Sequence, residues 1–240
     1  MLWYSQSMEE TLKNKLKNYK TPKKAVEIVR NTKVVFLVGI SGAGKDTLRK
    51  ELLFSGAFHH IVSHTTRSPR HNLGVLEQDG LDYHFVDFKK IEKMLENQEF
   101  VEAKMFSNNI YGTSIAEIQV AHDDNKVALS DLEVQGVAEY MSISSTVRPI
   151  FLLPPNYEVW QDRLKQRYHD NEIDPTDMSR RIQTAKQELQ EAFTKDYFYF
   201  VVNDSVDKSL KQVKDIAYGS SDGYDINLAK ELIKSLLDSI

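Results

Sequence analysis

Short continuous apolar runs alternate along the chain with segments whose apolar residues recur every three or four positions. Residues 8–30 predict two short helices. Leu12, Leu16 and Tyr19 share one face, and Thr21-Pro22 restarts the chain with a cap and a first-turn proline ahead of Ala25, Val26, Ile28 and Val29. Val34-Val35-Phe36-Leu37-Val38 is rich in β-branched residues and ends in glycine, the pattern of a central parallel strand buried on both faces. A helix is expected over Asp46–Leu53 and a second strand over His60–Ser63. Thr65–Asp82 is polar and turn-rich, so it predicts a long loop or a small subdomain. Short strands are expected at Tyr83–Val86, Phe100–Phe106 and Ile110-Tyr111, with a helix at Lys89–Glu96 among them. Helices at Ser114–His122 and Leu132–Met141 flank a strand at Lys126–Leu129, and Pro149–Leu153 is another buried strand, stopped by Pro154-Pro155. Helices over Asn156–Tyr168 and Pro175–Phe193 follow, the second with Asp174 as its candidate cap. A buried strand at Tyr197–Val202 and a helix at Val206–Tyr218 complete the pattern. A linker at Gly219–Gly223 then leads to an amphipathic helix carrying Ile226, Ala229, Ile233, Leu236 and Ile240. Strands and helices alternate, so the class is α/β with a parallel sheet.

Composition narrows the chemistry. The 240 residues are 41% hydrophobic and 28% charged, which excludes wholesale disorder. There is no cysteine, so disulfide frameworks, thiolate metal sites and thiol nucleophiles are excluded. Lys plus Arg is 31 against 35 for Asp plus Glu, a net charge of −4. That balance argues against a nucleic-acid partner but leaves room for a local phosphate pocket. The apolar runs are far shorter than the roughly 20 residues of a membrane helix, and Met1–Gln6 lacks the basic start of a signal peptide. A cytoplasmic protein with no membrane partner is expected. The seven histidines show no carboxylate spacing of a metal site or triad, and structural or exposed roles are expected for all of them.

Gly39-Ile40-Ser41-Gly42-Ala43-Gly44-Lys45 follows the first buried strand and opens a helix, which is the context a P-loop requires. Its glycines let the backbone curl around phosphate oxygens, and the lysine supplies a point charge. The pattern calls for Ser or Thr after the lysine, as a magnesium ligand. This chain has Asp46 there, and Thr47 lies about 100° further round the helix, so it cannot take the same place.

Further along, Ile61-Val62-Ser63-His64-Thr65-Thr66-Arg67-Ser68-Pro69-Arg70 sets hydroxyls and two guanidinium forks at the mouth of a strand. Asp79–Val86, Glu99-Phe100-Val101-Glu102, Tyr111-Gly112-Thr113-Ser114 and Asp131-Leu132-Glu133-Val134-Gln135-Gly136 come next. Arg163-Leu164-Lys165-Gln166-Arg167, Arg181-Ile182, Ala185-Lys186-Gln187-Glu188 and Val201-Val202-Asn203-Asp204 close the series. In this order and spacing the chain resembles the guanylate kinase family, from Lys33 to Tyr218.

The resemblance implies a three-layer P-loop NTPase fold with a parallel central sheet, an inserted GMP-binding subdomain at about 63–113 and a helical lid at about 156–193. Residues 1–32 would be an N-terminal helical extension, and 219–240 a linker and C-terminal helix. It implies direct in-line phosphorylation of GMP, and of dGMP, with ATP as co-substrate and Mg2+. Gly39, Ser41, Gly42, Ala43, Gly44, Lys45, Asp46, Thr47 and Asn203 would bind ATP. Ser63, Arg67, Arg70, Tyr83 and Tyr111 would hold the GMP phosphate, and Glu102, Thr113 and Asp131 would read guanine. Lys45, Arg67, Arg163, Arg167 and Arg181 would be the catalytic cations, with Asp46 touching magnesium through water. Besides Asp46, the segment His71–Leu81 is longer than the family's, and Glu133 stands where the family has Asp. A non-catalytic protein-binding module of the same family is an alternative, opposed by the retained arginines and Lys45. A related kinase with another phosphorylated acceptor is a second, and Glu102 with Thr113 and Asp131 favours guanine over it. Residues 1–20 carry none of these motifs, so their removal is expected to cost stability and leave KM for GMP unchanged. No motif speaks to oligomeric state.

Overall fold

The computed structural model describes residues 6–72, 75–166, 175–220 and 225–240. In chain order the elements are α1 (Gln6–Asn18), α2 (Lys23–Asn31), β1 (Val34–Val38), α3 (Lys45–Phe54), β2 (Phe58–His60), β3 (His64–Thr65), β4 (His71–Asn72) and β5 (Val75–Leu76). Next come β6 (His84–Phe85), α4 (Phe88–Glu96), β7 (Phe100–Phe106), β8 (Asn109–Ser114), α5 (Ile115–Asp123), β9 (Val127–Asp131), α6 (Val134–Ile143) and β10 (Arg148–Leu153). The chain ends with α7 (Tyr157–Gln166), α8 (Pro175–Phe193), β11 (Tyr199–Val202), α9 (Val206–Ala217) and α10 (Ile226–Ser239). Two compact units result: residues 33–59 with 126–240, and residues 1–32 with 60–125.

The first unit is built on a sheet of order β11-β10-β1-β9-β2. β1 pairs in parallel with both β10 and β9, and β10 with β11. All five residues of β1 are buried, which accounts for its unbroken apolar sequence. Phe36 meets the Tyr140 ring of α6 at 4.5 Å, and Phe151, Phe198 and Phe200 form a second aromatic cluster. β2 and β9 lie on one side of β1 and β10 and β11 on the other, so the strand order reverses across β1 and the loop after it leaves from a topological switch point, where α/β sheets bind ligands.

The second unit holds a smaller sheet of order β6-β3-β8-β7. Leu12 of α1 is fully buried among Ile91, Met94, Leu95, Phe100 and Ile110. Ser114 caps α5 by accepting from the Glu117 amide, and Asp87 caps α4 through the Lys90 amide.

Two local expectations shift. The second strand is Phe58–His60 instead of His60–Ser63. The Val62 amide is bound by a Glu117 carboxylate oxygen at 2.8 Å, so it needs no neighbouring strand. Within the polar stretch after Thr65, β4 and β5 pair antiparallel as a short hairpin. Arg167, Asp174 and part of the 219–223 linker lie outside the described residues. Among the described residues no helix is long and apolar enough to cross a membrane.

Candidate active site

The loop between β1 and α3 takes its shape from glycine. Gly44 has φ +99°, and a Cβ there would stand 2.2 Å from the Asn203 amide nitrogen. Gly39, at φ +140°, leaves no room either, since a Cβ would meet the Leu152 carbonyl oxygen at 2.5 Å. Three side chains hold the loop from outside. Asn203, 4% exposed, donates to the Ala43 carbonyl at 2.8 Å and accepts from the Ser209 hydroxyl at 3.1 Å. The indole of Trp160, fully buried on α7, donates to the Ser41 carbonyl at 2.7 Å. Arg181 of α8 reaches the Ser41 hydroxyl at 3.2 Å while Asp177 holds its Nε at 2.7 Å. Asn203 therefore supports the loop with its amide.

Lys45 lies across the loop mouth and donates to the carbonyls of Gly39 and Ile40. It opens into a cavity of about 480 Å3 lined by Gly39, Ser41, Asp46, Asp131, Arg181 and Glu188, among others. Arg163 donates from Nη2 to the Asn203 carbonyl at 3.0 Å, while its buried Nη1 has no hydrogen-bond partner among the described residues. Asp46 is 54% exposed and 3.4 Å from Arg49. Thr47 is exposed, as its helical phase requires. Asp131, expected to read guanine with Glu102 and Thr113, belongs to this unit and ends β9 next to β1. Its Oδ2 accepts from Arg49 at 2.6 Å, and its buried Oδ1 has no partner among the described residues. Burial, with the Asp46 charge adding to it, holds the Asp131 carboxyl above its usual range, and Arg49 and Lys45 oppose the shift only in part.

Glu188 of α8, to which the Ala185–Glu188 motif assigned no role, lines the same cavity. Burial pushes its carboxyl up to about 7, with Lys45 opposing the shift. The folded carboxyl holds its proton more tightly than the unfolded one. Its contribution to stability is therefore full at low pH and falls as pH rises from about 4.5 through about 7. Glu188→Gln removes this titration. Thermal melts at pH 5 and pH 8 are expected to show the variant gaining on the parent by a few degrees at the higher pH. Parallel pH dependences in the two proteins would refute the assignment.

The second unit gathers most of the remaining candidates. Arg67 is buried and makes a two-pronged ion pair with Glu77, at 2.7 and 2.9 Å. Glu77, the Tyr111 hydroxyl and their charges raise the Arg67 pKa, and Arg67 in turn lowers that of Glu77. Glu77 also accepts from the Arg70 amide at 2.8 Å, and the Arg70 side chain is exposed. The Tyr83 ring lies 5.1 Å under the Arg67 guanidinium and 6.0 Å from the Tyr111 ring. Ser63 accepts from the His84 amide through its carbonyl at 2.9 Å. Glu102 and Thr113 face each other across β7 and β8, and the Glu102 carboxylate accepts from the Thr113 amide at 3.1 Å. Glu77 was not singled out from sequence, because nothing local shows which cation it meets. The His84–Glu117 pair at 2.8 Å was equally hidden, since sheet pairing joins residues far apart in the chain.

A family model described as guanylate kinase matches residues 31–218. The chain belongs to the guanylate kinase family. It is 38% identical over 187 residues to a guanylate kinase of Schizosaccharomyces pombe, covering 77% of this chain and 89% of that protein. A guanylate kinase of Homo sapiens is 34% identical over 186 residues, covering 75% of this chain and 90% of that one. The fold is also similar to the crystal structure of guanylate kinase from Anaplasma phagocytophilum, with a TM-score of 0.55 and 23% identity over 84% of this chain and 93% of that one. In guanylate kinase terms, the structure brings the P-loop, Lys45, Asp131, Arg163 and Arg181 together in one unit. The other unit carries Ser63, Arg67, Arg70, Tyr83, Glu102, Tyr111 and Thr113.

Proposed function

We propose that this protein transfers the γ-phosphoryl group of ATP to GMP, and to dGMP, by direct in-line displacement. The observation that supports this most is the cavity at the switch point, where Lys45, Arg180 and Arg181 converge on the Gly39–Gly44 loop. A transferred phosphoryl group carries spread negative charge, so positioning and fixed positive charge do most of the catalysis. Lys45 and the loop amides would take the ATP phosphates. The buried, unspent Nη1 of Arg163 would meet them from α7 and Arg181 from α8. Arg67, Arg70, Ser63, Tyr83 and Tyr111 would hold the GMP phosphate, with Glu77 fixing the direction of the Arg67 fork. Guanine offers an N1–H and an amino group beside its O6 acceptor. The Glu102 carboxylate would accept from the nitrogens and the Thr113 hydroxyl donate to O6. Adenine would leave that carboxylate without a donor, a mismatch that discriminates strongly.

Magnesium fits the donor side. It takes oxygen ligands and keeps several waters, and the orphan buried Oδ1 of Asp131 is such an oxygen. Among the described residues no cluster of three His, Cys, Asp or Glu could hold a metal unaided, which suits an ion carried in with nucleotide phosphates. Asp131 would hold it, and Asp46 through water, and the bound ion would neutralise charge on the phosphate oxygens. Asp131 beside Lys45 and Asp46 suits this role better than reading the base. The nucleotides are the only partners proposed, in a cytoplasmic setting.

A coupled ADP-release assay against GMP, dGMP, AMP, CMP and UMP tests the proposal. Turnover is expected with the two guanine nucleotides, and turnover confined to another acceptor would overturn it. Magnesium titrations at fixed ATP and GMP test Asp46. Asp46→Ala is expected to raise the half-maximal magnesium concentration by about threefold, the scale of one water-mediated contact. Asp46→Ser restores the hydroxyl of the P-loop pattern and is expected to lower it again. Superimposed curves for all three proteins would show that Asp46 serves only the solvent face of α3.

A further inference from the structure

We propose that the N-terminal segment is a positioning element of the acceptor site: Tyr19 and Thr21 fix a bulged strand edge so that the Glu102 carboxylate is aimed. The inference rests on the reading of Glu102 as the base-reading group. Residues 1–30 lie outside the family match, and the segment follows no motif of the family.

β7 is an edge strand of its sheet. An edge residue that is also fully buried cannot leave its backbone groups to water, and Phe100 is 0% exposed. The Tyr19 hydroxyl satisfies both of its groups, donating to the Phe100 carbonyl at 2.7 Å and accepting from the Phe100 amide at 3.1 Å. The next residue breaks the ladder. Phe100 pairs with Ser114 and Glu102 with Thr113, so Val101 is the extra residue of a β-bulge. The Val101 carbonyl accepts from the Thr21 hydroxyl at 2.9 Å. A bulge re-aims the side chain that follows it, and that side chain is Glu102. α1 is itself anchored, through buried Leu12 and through Lys15 between Glu92 and Glu96 at 2.7 and 2.6 Å. On this proposal residues 1–20 contribute to GMP binding, against the expectation that their removal leaves KM for GMP unchanged.

A segment that merely covered apolar surface would act through Leu12 and Leu16, and removing two hydroxyls would not alter substrate choice. The test therefore uses Tyr19→Phe, Thr21→Val and the double variant in the full chain, with Thr21→Ser as the conservative control. IMP, which lacks the amino group of guanine, serves as the probe of base reading. Each single variant is expected to raise KM for GMP about fivefold, the scale of one net hydrogen bond, and to narrow the GMP-to-IMP ratio of kcat/KM. KM for ATP stays within about twofold of the parent, and Thr21→Ser restores GMP kinetics. Glu102→Gln is measured alongside. If it lowers the GMP-to-IMP ratio while the Tyr19 and Thr21 variants change only the melting temperature, the positioning role is overturned and the reading of Glu102 stands. If Glu102→Gln leaves the ratio unchanged, both readings fall.

Discussion

Replacing Lys45 with alanine is expected to lower kcat by about 100- to 1,000-fold, the usual cost of removing one preorganised charge from a transition state. Lys45 is the first residue of α3, and its ammonium lies over the loop with the Gly39 and Ile40 carbonyls as its acceptors. Those acceptors hold the charge where phosphate oxygens would arrive, so little reorganisation is left for the reacting state. The loop itself does not depend on that ammonium. Its turns are set by Gly39 and Gly44, and Asn203, Trp160 and Arg181 brace it from three elements. Alanine is also the strongest helix former, so α3 keeps its start. The variant should therefore melt within a few degrees of the parent and still fail in turnover. Lys45→Arg is not expected to rescue it, because a planar fork cannot take the place of a compact ammonium held by the Gly39 and Ile40 carbonyls. A folded Lys45→Ala protein with near-parental turnover would end the phosphoryl-transfer reading.

How far the sequence reaches follows from where each contact lies along the chain. The β1 run, the glycines and Lys45 are contiguous, so their pattern was legible without knowing what packs against them. α8 runs from Pro175 to Phe193 as its pattern predicts, because a long amphipathic face leaves little choice of boundary. What escaped depends on residues brought together from a distance. Asn203 meets Ala43, and Trp160 meets Ser41, across strands and helices that no local pattern connects. The bracing of the loop by the Asn203 amide is one such contact, since Ala43 lies far away in the chain. Glu188 stands in a motif that assigns it no role, and burial beside the cavity raises its carboxyl to about 7. Arg49 bridges toward both Asp46 and Asp131, so the departure at position 46 comes with a nearby cation that the motif itself does not contain.

Glu102→Gln tests the acceptor half with the least disturbance to the fold. The Thr113 amide donates to one Glu102 carboxylate oxygen, and a glutamine carbonyl can accept that same bond. The amide nitrogen then takes the place of the second carboxylate oxygen and presents a donor to the N1–H and amino donors of guanine. Two donors facing each other leave both without partners, which costs more than deleting the interaction. A loss of about 10- to 100-fold in kcat/KM for GMP is expected, on the scale of one hydrogen bond to a charged group. It should appear mainly in KM, because the base is bound equally in the ground and transition states. ATP affinity, measured by calorimetry without GMP, should not change, since Glu102 belongs to the unit that lacks the P-loop. AMP, which has no N1–H, gains relative to GMP in the same variant. Unchanged GMP kinetics would mean that Glu102 serves only the β7–β8 pairing, and that the base is read elsewhere.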